Sequence, residues 1–186
     1  MNSQDDIENT EAFAYIQGVM EGDGYIDKSN KNPRLCLMVI KKEFAMAFAE
    51  KLKAIGLTPR WTERNRHFEF TNLVNHPYDE HYFVVRATCR NNILCLLKKE
   101  PTTNQQKIAF MRGFYDSEGF NYEGRHKFSH HLALCNKDED LLRKIQTWLE
   151  NLGISPSHIV KQETESKLKI YPKNLRYKFL QLIGRA

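Results

Sequence analysis

The chain has 186 residues, enough for one sizeable core or two small fused ones, and its 41% hydrophobic content is ordinary for a globular protein. A net charge of +5 and a pI near 9.0 favour a polyanionic partner such as nucleic acid. No apolar run approaches the roughly 20 residues of a membrane span, residues 1–10 are too acidic and polar for a secretory signal, and the four cysteines (Cys36, Cys89, Cys95, Cys135) form no Cys-x-x-Cys, which argues against membrane and disulfide-scaffold classes. The expectation is an intracellular protein, cytoplasmic or nucleoid-associated, with buried thiols.

Residues 1–10 read as a frayed tail, and Thr10 as the N-cap of a helix over 11–21. A strand begins at 25–27, a polar turn follows at 28–33, and a second strand spans 34–41. An amphipathic helix over 43–55 is stopped by Gly56. Residues 58–64 and 66–72 read as a hairpin, with Phe68 and Phe70 opposite His67, Glu69 and Thr71. A loop over 73–80 leads to a strand over 81–88 and a helix over 91–99. Residues 100–104, holding Pro101, form a linker. The order then repeats: a helix over 105–116, a strand from 120, the Glu123-Gly124 turn, a strand over 127–135, and a helix over 137–152 stopped by Gly153. A hairpin over 158–171, turning at Glu165-Ser166, precedes a closing helix over 174–183. The expected class is α+β: two α-β-β-α-β-β-α halves, 11–99 and 105–186.

The halves also repeat in sequence. Residues 48–59 match 145–156 at an offset of 97, and the two helix ends match at an offset of 95, so the halves differ by two residues. The most informative match is 16–24, IQGVMEGDG, against 111–119, MRGFYDSEG. Each copy keeps a glycine in mid-helix, Gly18 and Gly113, at a cost of about 1 kcal/mol relative to alanine. Four residues on stands a second small residue, Gly22 and Ser117, the spacing that lets two helix backbones touch. The two helices are therefore expected to pack through Gly18/Gly22 and Gly113/Ser117. Their C-terminal ends carry Glu21, Asp23, Asp116 and Glu118, where the macrodipole disfavours anions. A local rule broken twice at one register points to a functional site. A divalent cation shared by Asp23 and Glu118 would relieve the repulsion, and hard oxygen ligands suit Mg²⁺.

The two stretches resemble the paired motifs of LAGLIDADG homing endonucleases, and the chain is similar to the compact single-chain type found in archaeal introns. Gly18 and Gly113 fall on the first glycine of the motif, Glu21 and Asp116 on its first acid, Asp23 and Glu118 on its last acid, and Gly24 and Gly119 on its closing glycine. The resemblance covers nearly the whole chain. It implies two antiparallel sheets forming a DNA saddle around the central helices. It also implies a monomer that cleaves both strands of a long, asymmetric duplex site across the minor groove, leaving 3′ overhangs. Asp23 and Glu118 would hold Mg²⁺, with the carbonyls of Gly22 and Ser117 as further ligands. Mn²⁺ would substitute, and Ca²⁺ would bind without supporting cleavage. A polar residue closes the second strand of each half to order the attacking water; here the positions are Lys41 and Asn136. The family often has an amide there, and Lys41 departs from it, although a lysine would stabilise charge on a phosphodiester. Arg86, Arg90, Lys169 and Lys173 are candidates for the family's other basic residue. The absence of a splicing block favours a free-standing, intron-encoded enzyme.

A pseudo-twofold protein suits a DNA site read as two half-sites, and a twisted β-ribbon fits the major groove. Lys167, Lys169 and Tyr171 share a face opposite Leu168 and Ile170. Arg60, Thr62 and Arg64 alternate with Trp61, and Arg86 and Thr88 with Phe83 and Val85. These groups are assigned to the groove, with Lys42 and Lys137 on phosphate; a plain solvated sheet face is the rival reading. The strand over 34–41 is apolar on both faces, so its groove side is open. Among the seven histidines, His130 and His131 point to opposite faces of a strand, and the rest lack zinc spacing. Two other functions compete: a non-cleaving nucleic-acid binder, such as a maturase acting on intron RNA, and a metal hydrolase of small phosphoesters, which lacks a third acid or a histidine cluster.

Overall fold

Two helices run side by side through the middle of the molecule, each opening one half of the chain. The computed structural model describes residues 7, 10–29, 31–68, 78–123 and 130–184. The expected tail (except Ile7 and Thr10), the end of the expected 58–72 hairpin with most of the loop after it, and the 124–129 stretch lie outside the described residues.

Helix α1 (Glu11–Met20) starts at Thr10, whose hydroxyl accepts the Phe13 amide at 3.1 Å. The other central helix, α4 (Asn104–Glu118), starts on a reciprocal cap. There the Thr103 hydroxyl accepts the Gln106 amide at 3.2 Å, and the Gln106 side chain accepts the Thr103 amide at 3.0 Å. The helices meet backbone to backbone at the glycines. A Cβ on Gly18 would lie 2.0 Å from the Phe110 carbonyl oxygen, and one on Gly113 would lie 2.1 Å from that of Tyr15. Gly22 faces Ser117, whose Cβ would be 2.5 Å away. The expected small-residue seam is therefore present.

Each half follows the expected order. The first adds β1 (Gly24–Asp27), β2 (Arg34–Val39), α2 (Lys42–Ala54), β3 (Arg60–Phe68), β4 (Tyr78–Thr88) and α3 (Asn91–Leu96). The second adds β5 (Gly119–Tyr122), β6 (His131–Asn136), α5 (Glu139–Asn151), β7 (Val160–Lys161), β8 (Ser166–Ile170) and α6 (Lys173–Leu182). The two antiparallel sheets have matching orders, β1-β2-β4-β3 and β5-β6-β8-β7, which is the signature of the duplication. One face of each sheet is core: Leu35, Leu37, Val85 and Ala87 in the first, Leu132, Leu134, Leu168 and Ile170 in the second. Helices α2 and α5 pack against these faces. Each ends at a glycine in the left-handed region, Gly56 at φ 80° and Gly153 at φ 71°.

The central helices also anchor the last helix of their own half. Gln17 donates to the carbonyls of Leu96, Leu97 and Lys99 at 3.2, 3.3 and 2.6 Å. Arg112, 95 residues later, donates to those of Ile183 and of Leu182, the latter at 3.3 Å. Both satisfy carbonyls that a helix C-terminus leaves without partners.

Three expectations are corrected. The turn expected at Asn65 is absent. Arg60 to Phe68 is one strand, in continuous register with β4 from Arg60 opposite Arg86 to Phe68 opposite Tyr78. Asn65 has no glycine or proline beside it to turn the chain, and long-range pairing overrides its turn preference. In the second half the turn precedes Ser166, which already lies in β8, and the Gln162 amide bonds the Glu165 carbonyl at 2.8 Å. Cys95 is exposed, while Cys36, Cys89 and Cys135 are buried.

Candidate active site and nucleic-acid interface

The seam delivers the acids to one place. Glu118 is the last residue of α4, and Asp23 lies just past the C-cap Glu21 of α1. A Cβ on Gly22 would stand 2.8 Å from Cγ of Glu118, so the two helix ends touch. Burial pushes the Glu118 carboxyl up to about 7, and the charges of Asp23 and Glu165 add to the shift. Burial also raises Asp23, while the Lys41 ammonium pulls it back. Asp23, Lys41, Phe44, Asp116, Ser117 and Tyr82 help line a cleft of about 320 Å³.

A half-buried Glu118 whose ionisation is opposed by burial and by the charge of Asp23 fits a cation. Among the described residues no cluster of three His, Cys, Asp or Glu side chains surrounds a point. The groups that would hold such an ion are the carboxylates of Asp23 and Glu118, with the carbonyls of Gly22 and Ser117 as the further ligands expected. All are hard oxygens, and they suit Mg²⁺ with several waters retained.

The first acids of the two motifs part company. Asp116 accepts the Tyr15 hydroxyl across the seam at 2.8 Å, and burial with this carboxylate raises the Tyr15 phenol. Its counterpart Glu21 has no such donor among the described residues, Phe110 standing where Tyr15 stands in the first half; burial, then Asp138, raises its carboxyl. Asn136 crosses to the first helix: its amide donates to the Glu21 carbonyl at 3.0 Å, and its oxygen accepts the Asp138 amide at 2.8 Å. Lys41 stays in its own half as the N-cap residue of α2.

Strand register shows which sheet face carries the residues expected in the groove. On the first sheet Arg34, Cys36 and Met38 share a face with Arg86 and Thr88, and with Arg60, Thr62 and Arg64. Register thus groups Arg34, Cys36 and Met38 of β2 with the arginine-bearing face. Met38 and Ile40, 51% and 60% exposed, extend that face toward the cleft. Lys42 turns to the opposite, helix-covered face, its ammonium 5.9 Å over Trp61. Lys137 is exposed just beyond β6. On the second sheet Lys167, Lys169 and Tyr171 share the face away from Leu168 and Ile170, as expected. The Lys167 ammonium, however, sits 3.0 Å from Glu165 and 5.6 Å over Phe120.

Sequence reasoning missed Glu165, which it treated as a turn residue and which acts electrostatically on Glu118. It also missed an aromatic cluster on the second sheet, with His131 5.2 Å from Tyr122 and 5.5 Å from Tyr171 between ring centres. Alternation of β5 and β6 held the signal for the cluster. Nothing local marked Glu165.

Residues 10–82 and 105–184 match the family described as LAGLIDADG-like domain, once in each half. The uncharacterized protein MJ0314 of Methanocaldococcus jannaschii is 27% identical over 161 residues, 80% of this chain and 57% of that protein. Full-length DUF199/WhiA from Thermatoga maritima superimposes with a TM-score of 0.69 at 16% identity, over 98% of this chain and 60% of that one. The homing endonuclease I-DmoI, in complex with DNA and Mn, superimposes with a TM-score of 0.60 at 18% identity, over 97% of this chain and 98% of its own. Other I-DmoI structures with DNA contain Ca or were obtained in the presence of Mg. The chain thus spans little more than half the length of MJ0314 and of full-length WhiA. The structural likenesses establish the fold.

Proposed function

The chain belongs to the LAGLIDADG-like domain family, and on that footing we propose that it is a Mg²⁺-dependent, site-specific endonuclease acting on double-stranded DNA. The observation that carries this reading is the meeting of Asp23 and Glu118 at the seam, where burial and mutual repulsion drive Glu118 up to about 7. A site under that strain suits a cation better than a proton at neutral pH. The DNA and metal complexes of I-DmoI, which shares this fold over nearly its full length, support the same assignment.

In this reading the protein works as a monomer, and the two sheets grip the two half-sites of one long duplex. The scissile phosphates lie between them, at the helix ends. Asp23, Glu118 and the carbonyls of Gly22 and Ser117 hold the metal, which when bound activates water and stabilises the leaving oxygen. Lys41, beside Asp23 in the cleft, supplies a fixed positive charge where the phosphate becomes more negative. Asn136 holds the end of α1 and thereby positions Asp23. Cutting of both strands leaves 3′ overhangs.

The test is incubation of the purified chain with a randomised duplex library and Mg²⁺, followed by sequencing of the cut ends. Asp23→Asn and Glu118→Gln are expected to abolish cutting and to leave duplex affinity largely intact. Undiminished cutting by either variant rejects the assignment. One observation favours the alternative, a non-cleaving binder of DNA or intron RNA: both ends of the Asn136 amide already have protein partners, and a lysine occupies the matching position 41. Retention of duplex by the parent chain with no cutting under any divalent metal would select that alternative.

A further inference from the structure

The two sheets share a topology, and both carry tyrosines on their open faces (Tyr25 and Tyr82 in the first, Tyr122 and Tyr171 in the second), but their cations differ. The first presents Arg60 directly opposite Arg86, and Arg64 four residues further along the same strand. No ion pair holds any of these three among the described residues, whereas Arg34 on the same face is bound to Asp27. Four residues of extended strand span about 14 Å, close to four base-pair steps at about 3.4 Å each. A guanidinium presents a planar fork that matches the O6 and N7 acceptors of guanine in the major groove.

Among the described residues, the strands of the second sheet contain no arginine. Its open face offers Lys169, Lys167 already engaged by Glu165, and the Tyr122–His131–Tyr171 cluster. A lysine is a point charge suited to phosphate, and aromatic rings pack on apolar edges without a donor–acceptor code.

We propose that base reading is concentrated in the first half: Arg60, Arg64 and Arg86 select guanines in one half-site, while the second sheet holds the other half-site through phosphate and aromatic contacts and tolerates base changes there. This inference rests on the reading of the sheets as a duplex-binding surface. It adds a polarity to the recognised site that a symmetric pair of sheets would not have.

The experiment is selection of a randomised duplex library by the full chain in EDTA, so that binding is read without cutting. The selection is repeated with Arg60→Lys, Arg64→Lys, Arg86→Lys and Lys169→Ala. Lysine keeps the charge of the exposed Arg60 and Arg64 and of the half-buried Arg86, and circular dichroism and melting temperature confirm that each variant folds. The expected site carries its guanine preference in one half only. Each lysine variant relaxes one guanine position by roughly ten- to hundredfold while binding to unrelated duplex stays within about twofold. Lys169→Ala weakens all sequences alike and lowers the salt slope by about one. A site equally informative in both halves, or guanines indifferent to all three lysine variants, overturns this inference and leaves duplex binding standing. Failure to retain any duplex overturns the duplex reading and this inference with it.

Discussion

Alanine at Gly18 is expected to destabilise the protein although it is the better helix former. The propensity gain is about 1 kcal/mol. Against it, the new Cβ would stand 2.0 Å from the carbonyl oxygen of Phe110 and 2.8 Å from the amide nitrogen of Phe114. Both obstacles are backbone of α4, which cannot swing aside as a side chain does, so the helices must separate along the seam. Overpacking of a tight core costs about 1–3 kcal/mol, and a backbone clash belongs at or above the top of that range. The net loss is about 2 kcal/mol, a fall in melting temperature of about 4–8 °C for a chain of this size. Gly113→Ala should behave alike, since its Cβ would meet the Tyr15 carbonyl at 2.1 Å. Ser117→Ala is the control: it loses only a bond to the Gly113 carbonyl within its own helix, 3.2 Å long, and should change stability by less than about 1 kcal/mol. The double glycine variant should cost less than the sum, because the first substitution already opens the seam. Urea and thermal unfolding measure all four. A Gly18→Ala protein that melts at or above the parent temperature would refute the close approach of the two helices.

Glu118 titrates near 7 in the folded chain and near 4.5 when unfolded, so its contribution to stability is present below 4.5 and is lost as pH rises through 7. Added Mg²⁺ should therefore raise the melting temperature more at pH 7.5 than at pH 5.5, and Glu118→Gln should remove the difference; a metal shift independent of pH would count against Glu118 as a ligand. Gln17→Ala leaves the carbonyls of Leu96, Leu97 and Lys99 without their shared buried donor and should cost about 2–3 kcal/mol by urea unfolding. Log affinity for duplex should fall linearly with log salt, by about 0.9 per phosphate neutralised, and a flat response would argue against contact with phosphates.

The seam was legible because its signal is a local cost repeated. A glycine in mid-helix and an acid at a helix C-terminus are each unfavourable alone, and only a contact elsewhere in the fold explains keeping both twice. The strand alternation in β8 was legible for the same kind of reason, since Leu168 and Ile170 have one side to bury. The β3 turn was misread because Asn65 carries a real turn preference. Its true partner strand begins after residues 69–77, and a pairing at that separation leaves no mark on the local pattern. In β2 both faces are apolar, so periodicity could not reveal that Met38 and Ile40 stay exposed. Tyr15 reads as a core residue of an apolar helix, and only the crossing of the two helices turns its hydroxyl onto Asp116.

The same crossing explains why the halves have diverged at the site while agreeing in fold. The backbone of the seam tolerates almost no change, because Gly18 and Gly113 each meet a carbonyl of the other helix. Side chains at the rim are under no such constraint once one chain encodes both halves. Tyr15 with Asp116 stands against Phe110 with Glu21, Lys41 against Asn136, and, among the described residues, Glu165 acts on Glu118 but not on Asp23. The two acids consequently sit in unlike fields: Asp23 is eased by a lysine, and Glu118 is pressed further by a third carboxylate. A protein assembled from two identical subunits would present both acids in the same field. Here the asymmetry of the acids accompanies an asymmetry of the sheets, with Arg60, Arg64 and Arg86 on the side of Asp23 and Lys167 and Lys169 on the side of Glu118. In the proposed function, an asymmetric duplex is the substrate on which two such unlike halves each have a separate use.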